Sequence, residues 1–316
     1  MSLLDVKNLK IYYFTLKGVV RAVDDVSFNV REGEVLGIAG ESGSGKSTLG
    51  YGLMRLVPPP GRIVRGNIVI SGRDIVSMDE GTLRREIRWK VISMIFQGAL
   101  NALNPVYTIG KQLVEPIIFH EDVGLKEAYE RAAEMVKLVG LNEDVLRRYP
   151  HELSGGMKQR VMIAMALILR PKIVIADEPT TALDVVIQAQ IMNLFKKIKK
   201  ELNQSIIFIT HDLSLIAEMA DNVAVMYAGK IVEYGNSDNV FNTPKHPYTQ
   251  GLLKSIPRLK SKEKLSWIPG TPPDLRNPPV GCRFHPRCPY VMDVCRREEP
   301  PIKDVGGNHL VACWLY

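Results

Sequence analysis

The sequence predicts an α/β protein with a mostly parallel sheet, helices on its faces and a small irregular tail. Three observations lead to that class. Residues 35–39, 173–176, 206–209 and 223–226 are short apolar runs, the pattern of strands buried on both faces. Between the second and third runs, Ile187, Ile191, Leu194, Phe195, Ile198 and Leu202 recur at helical spacing, and Lys196, Lys197, Lys199 and Lys200 fill the solvated positions. Strands alternating with amphipathic helices build a parallel sheet with helices packed on it. Beyond about residue 240 the composition changes: twelve of the 20 prolines follow residue 243, and all 4 cysteines follow residue 281. The expected organisation is a large domain over residues 1–240 and an extension over 241–316.

Length and charge restrict the function. The 316 residues suffice for one large or two ordinary domains, and 46% hydrophobic with 24% charged residues marks a folding chain. The net charge of +7, from 41 basic and 34 acidic residues, is spread along the chain, so no nucleic-acid partner is expected. The longest uninterrupted apolar stretch, 161–169, is less than half the roughly 20 residues that a membrane-spanning helix needs. The opening segment MSLLDVKNLK lacks the pattern of a secretory signal. The expected location is cytoplasmic, with any membrane attachment made through partner subunits.

The strand ends carry the chemistry. Directly after the 35–39 run stands Gly40-Glu41-Ser42-Gly43-Ser44-Gly45-Lys46-Ser47, which fits G-x-x-x-x-G-K-[ST] and leads into a helical segment from Thr48. Its glycines let the backbone wrap a phosphate, with N–H groups and the helix N-terminus aimed at the anion. Gly40, Ser42, Gly43, Ser44, Gly45 and Thr48 are therefore candidate nucleotide contacts. Lys46 is expected to neutralise β- and γ-phosphate charge, and Ser47 to ligate Mg²⁺. The 173–176 run ends in Asp177-Glu178, where Asp177 suits the Mg²⁺ shell and Glu178 suits the orientation of an attacking water. Together the two motifs imply a P-loop nucleoside triphosphatase. Ser154-Gly155-Gly156, ahead of a long apolar helical pattern, forms a donor-rich helix N-terminus that serves as an anion site or simply as an N-cap.

Leu153-Ser154-Gly155-Gly156-Met157-Lys158-Gln159-Arg160 resembles the signature motif of the ATP-binding-cassette (ABC) ATPases, and further family motifs follow in order. The resemblance implies a Q-loop role for Gln97, which senses Mg²⁺ and water and touches the membrane partner. It likewise implies a D-loop at Ala182-Leu183-Asp184, a switch histidine at His211 that contacts the γ-phosphate, and adenine stacking by Tyr13. Tyr12 stands beside Tyr13, and an extended loop is expected across 15–20. The catalytic roles fall to Glu178, His211 and Lys46. The resemblance spans residues 3–240, with a helical subdomain at about 98–170. It implies two cassettes paired head to tail, each ATP lying between one phosphate loop and the partner's Ser-Gly-Gly.

Asn242-Thr243-Pro244-Lys245-His246-Pro247-Tyr248-Thr249 and the proline-rich stretch to residue 280 resemble the C-terminal extension of oligopeptide/dipeptide importer ATPases. Glu41 in the phosphate loop and Leu103-Asn104-Pro105 agree with that form. By itself, His246-Pro247-Tyr248 is a turn with a packed tyrosine. The resemblance implies a second homologous ATPase subunit in a heterodimer, two permease subunits and an extracytoplasmic substrate-binding protein. The chain would then lie on the cytoplasmic face of the membrane. An oligosaccharide importer is the alternative within the class. A soluble cassette acting on nucleic acid or ribosomes is the alternative outside it, and the absence of a heptad insertion opposes it.

Cys282, Cys288, Cys295 and Cys313 remain. Disulfides are disfavoured in a cytosolic chain. A structural zinc site usually contains a C-x2–4-C knuckle, which this set lacks, whereas [4Fe–4S] ligand spacing is more permissive. The importer resemblance implies such a cluster, and Arg283-Phe284-His285-Pro286-Arg287 between the first two cysteines fits its form. Zinc and free thiols stay open, with His285 and His309 as substitute ligands.

Overall fold

A computed structural model describes residues 2–98, 102–255 and 267–316. Residues 99–101, within the expected helical subdomain, and 256–266, within the proline-rich stretch, lie outside the described residues. The chain divides into two compact units, residues 1–76 with 208–316, and residues 77–207.

The first unit opens with β1 (Ser2–Thr15) and β2 (Gly18–Arg31), a long antiparallel hairpin that pairs Tyr13 with Val20 and Thr15 with Gly18. The loop expected across 15–20 is thus only a two-residue turn, because aromatic and β-branched residues pair right up to it. After β3 (Val35–Ala39) and α1 (Lys46–Leu53), β4 (Gly61–Ile70) and β5 (Arg73–Asp74) complete an antiparallel sheet of order β2-β1-β4-β5. Every residue of β3 is buried, as its unbroken apolar run requires.

The second unit begins with one turn of helix, α2 (Glu80–Thr82), followed by β6 (Ile92–Ile95). Three helices come next: α3 (Ile109–His120), α4 (Leu125–Leu138) and α5 (Gly155–Leu167). Helix α4 buries Ala128, Ala132, Met135 and Val136, one stripe at helical spacing. Strand β7 (Ile173–Asp177) runs parallel to β6, with Ile95 beside Ala176. Helix α6 (Val185–Leu202) then buries Ile191, Leu194, Phe195 and Ile198 and leaves its lysines outward. The division between the units falls within β8 (Ser205–Ile209).

The first unit resumes with α7 (Leu213–Met219), β9 (Asn222–Tyr227) and β10 (Lys230–Asn236). Strand β9 lies parallel to β3 and antiparallel to β10. The extension adds α8 (Ser237–Asn242), α9 (Pro247–Lys254) and α10 (Asp293–Arg297), then β11 (Ile302–Asp304) and β12 (Leu310–Ala312). Strand β12 pairs antiparallel with β10, joining Tyr234 to Leu310, and β11 pairs with β12. The extension is therefore stitched to the sheet as its outer strands. The strand pairing is mixed, parallel at β3–β9 and β6–β7 and antiparallel along β9-β10-β12-β11.

Candidate functional site

In the first unit the phosphate loop spans the gap between β3 and α1. Gly40 has φ 149° and Gly45 φ 102°, and a Cβ on either would stand 2.2 Å or less from a main-chain oxygen, of Met226 or Ala22 respectively. Only glycine fits both places. The N–H of Gly229 donates to Ser44 O (2.9 Å), tying the loop to the β9–β10 turn. Lys46 starts α1 and is buried, its Nζ donating to Gly40 O (2.6 Å) and Glu41 O (3.0 Å). Ser42 and Gly43 are exposed, Ser44 is buried, and Ser47 and Thr48 are half-buried. The Tyr13 hydroxyl lies 3.3 Å from Thr48 Oγ1, on the phosphate-loop side, whereas the Tyr12 hydroxyl donates to Asp24 (2.6 Å). This separates two neighbours that are indistinguishable in sequence. The Thr210 N–H donates to Ile38 O (3.2 Å), which sets His211 beside the root of the phosphate loop.

In the second unit, Asp177 is fully buried at the end of β7, and Glu178 follows at φ 50°. The Glu178 carboxylate accepts from Thr181 Oγ1 (2.9 Å). Because β6 and β7 are parallel and in register, exposed Gln97 projects beyond the same strand ends as this acidic pair. Ser154 caps α5, accepting from the Met157 N–H (3.4 Å), and leaves Gly155 exposed at the helix N-terminus. Asp184 caps α6 in the same way, accepting from the Ile187 N–H (2.9 Å). Each unit thus gathers its own share of the expected residues: Tyr13, the loop and His211 in one; Gln97, Asp177, Glu178, the Ser-Gly-Gly cap and Asp184 in the other.

The extension contributes residues that motif reasoning misses. In His246-Pro247-Tyr248, His246 Nδ1 accepts from the Tyr248 N–H (3.0 Å), and proline takes the first helical position of α9. Burial lowers His246 to about 3, so it stays neutral. Tyr248 is fully buried, packed on Tyr227 and Phe284 at centroid distances of 4.6 and 5.4 Å, and its hydroxyl accepts the N–H of Glu41 (2.9 Å). Arg287 grips the Glu41 carboxylate with two bonds, and Arg283 grips Asp24. The signals for these contacts are the tripeptide, the glutamate in the phosphate loop and the Arg283-Phe284-His285-Pro286-Arg287 segment. None of them names its partner.

Cys282, Cys288, Cys295 and Cys313 line one pocket, walled by Pro247, Phe284 and Trp314. Burial pushes the Cys282 thiol up to about 11, reinforced by the three other sulfurs, and raises Cys288 and Cys313 as well. Among the described residues no group of three or more His, Cys, Asp or Glu side chains is placed to hold a metal ion. His285 borders this pocket, but His309 is committed elsewhere, its Nε2 standing 2.7 Å from Glu233 Oε1.

A phosphate loop, an acidic strand end and a capped Ser-Gly-Gly helix define an ATP-hydrolysing cassette, and comparison with known proteins agrees. Residues 23–181 match the family described as ABC transporter, and residues 232–295 match the oligopeptide/dipeptide transporter C-terminal region. The oligopeptide transport ATP-binding protein OppD of Bacillus subtilis is 50% identical over 99% of this chain and 88% of its own length. The dipeptide transport ATP-binding protein DppD of the same organism is 48% identical over 99% of this chain and 95% of its own. Among solved structures, a dimeric bacterial ABC transporter cassette aligns with TM-score 0.66 and 31% identity, covering 74% of this chain and 98% of the cassette. A post-hydrolysis state of that cassette, bound to ADP and Pi, aligns with TM-score 0.65 and 30% identity, at the same coverage of both chains. The chain belongs to the ABC transporter ATPases.

Proposed function

We propose that this ATPase powers the import of di- or oligopeptides through a membrane transporter. The observation that carries the proposal is the union, in one chain, of an ABC cassette with the C-terminal region shared by peptide-transport ATPases. Among the described residues no helix is long and apolar enough to cross a membrane. The match to peptide-transport ATPases supports permease subunits as the membrane partners. The Gln97 segment is the proposed permease contact. A second, homologous cassette is the proposed partner, because one chain holds half of each of two ATP sites. On this reading the lone chain is largely monomeric and a weak ATPase. Sedimentation and ATPase assays with and without Mg-ATP test this, and a tight ATP-independent homodimer with full activity would overturn it.

Hydrolysis is then a matter of position and charge. Lys46 and the α1 N-terminus hold the β- and γ-phosphates, and Tyr13 supports adenine. Ser47, Gln97 and Asp177 are the residues that would hold Mg²⁺, which would offset polyphosphate charge when bound. A buried carboxylate at a strand end suits that duty. Glu178 orients the attacking water, His211 contacts the γ-phosphate, and the partner's Ser-Gly-Gly closes the site while Asp184 serves the dimer contact. Replacing Glu178 by Gln is expected to preserve ATP binding and to lower turnover about 100-fold or more. Near-normal steady-state hydrolysis would remove Glu178 from the role.

For the cysteines we propose a [4Fe–4S] cluster. Four thiols around one pocket support it, together with a sequence spacing that lacks a zinc knuckle. The bound group would supply electron exchange or a cross-link, and the raised thiols would release protons on binding. Anaerobically purified protein is expected to carry about four iron and four acid-labile sulfide per chain. One zinc and no iron would overturn the proposal.

A further inference from the structure

Glu41, the second residue of the phosphate loop, is held from three directions. Its carboxylate accepts from Arg287 Nη1 at Oε2 (2.7 Å) and from Nη2 at Oε1 (3.0 Å). Its N–H donates to the Tyr248 hydroxyl (2.9 Å), and its carbonyl accepts from Lys46 Nζ (3.0 Å). Arg287 is itself fixed: it is 6% exposed, its Nε donates to Pro269 O (2.9 Å), and its guanidinium lies 5.7 Å from the Tyr227 ring centre. A two-pronged arginine–carboxylate pair specifies direction as well as charge.

The chemistry explains why such a grip is needed. A loop that receives a polyphosphate gains from positive potential, and a bare carboxylate beside it works against the ligand. Arg287 cancels that charge and, through Glu41, holds the main chain whose carbonyl bonds Lys46. We infer that Arg287 and Tyr248 are positioning residues of the ATP site, through which the extension sets the affinity of the phosphate loop for nucleoside triphosphate. The inference rests on the ATP role of Lys46 proposed above and is independent of what the cysteines hold.

The test is a titration of the full chain with a fluorescent ATP analogue and Mg²⁺, at low and high salt. Arg287→Met is expected to weaken binding about fivefold or more, the scale of a coupling between sites, with part of the loss screened away by salt. Glu41→Gln is expected to bind at least as tightly as the unsubstituted chain. The double variant Glu41→Gln with Arg287→Met regains the share of the loss due to the uncancelled carboxylate and not the share due to the lost grip. A purely structural role predicts no such rescue. Tyr248→Phe keeps the ring packing and is expected to lose about two- to tenfold, one hydrogen bond's worth. If Arg287→Met does not fold, Arg287→Lys with and without Glu41→Gln gives the same comparison. Unchanged affinity in the Arg287 variants, or a double variant that binds no better than the single one, overturns the inference. No binding by the unsubstituted chain would instead overturn the ATP role itself.

Discussion

The phosphate loop is positioned by main-chain geometry, and the extension that touches it is positioned by buried charge. In the loop, Gly40 and Gly45 take left-handed conformations, and the helix that follows opens on Gly45 with no side-chain cap. In the extension, three side-chain pairs fasten irregular chain to the core: Arg283 to Asp24 and His309 to Glu233, both buried, and buried Arg287 to half-buried Glu41. The partners stand 259, 246 and 76 residues apart. Burying charges consumes most of what their attraction returns, so such pairs fix placement more than they add stability, yet breaking one is expensive. The difference teaches that a loop for chemistry can be written in eight consecutive residues, while its brace cannot.

The comparison breaks if the two regions respond alike to substitution. The largest expected effect is on the loop: Lys46→Met should weaken ATP binding about 100-fold or more while moving the unfolding midpoint little. Next comes the brace. Arg283→Met takes the guanidinium from buried Asp24, which keeps Tyr12 and Lys10, so chemical denaturation should show a loss of about 1.5–3 kcal/mol, with ATP affinity of the folded protein near normal. Arg283 and Arg287, five residues along the same segment, would then separate a purely structural anchor from a positioning one. Loss of ATP affinity in Arg283→Met at unchanged stability would erase that distinction. Smaller again, Ser154→Ala removes one helix cap and should cost about 1 kcal/mol. Smallest, Lys137→Ala breaks the exposed pair with Glu143 and should leave denaturation curves superimposable.

How much of this was legible in the sequence follows the same line. Apolar runs announce β3, β7, β8 and β9 to within a residue or two, since a strand buried on both faces has no polar positions to blur it. The hairpin of β1 and β2 goes unannounced, because the alternation of Leu4-Asp5-Val6-Lys7 slips at Asn8, where the register shifts, before Leu9-Lys10-Ile11 resumes it. Strands β11 and β12 have three residues each, too short to show a period. The functional residues divide likewise. Lys46, Asp177, Glu178 and Ser154 sit in motifs whose neighbours explain them. Arg287 and Tyr248 have their partner in a loop more than 200 residues away, and no local pattern encodes a partner that distant.

That separation has a consequence in time. Contacts between residues far apart in sequence form late, since the closure entropy of the intervening chain must be met first. Synthesis from the N-terminus delivers Glu41 into solution well before Arg287 exists, and the first strands and phosphate loop can fold in the interval. Through that window Glu41 stands beside the phosphate loop with its charge uncancelled. On the inference that Arg287 tunes the loop, firm capture of nucleotide waits until residue 287 has been made, and a later segment completes an earlier loop.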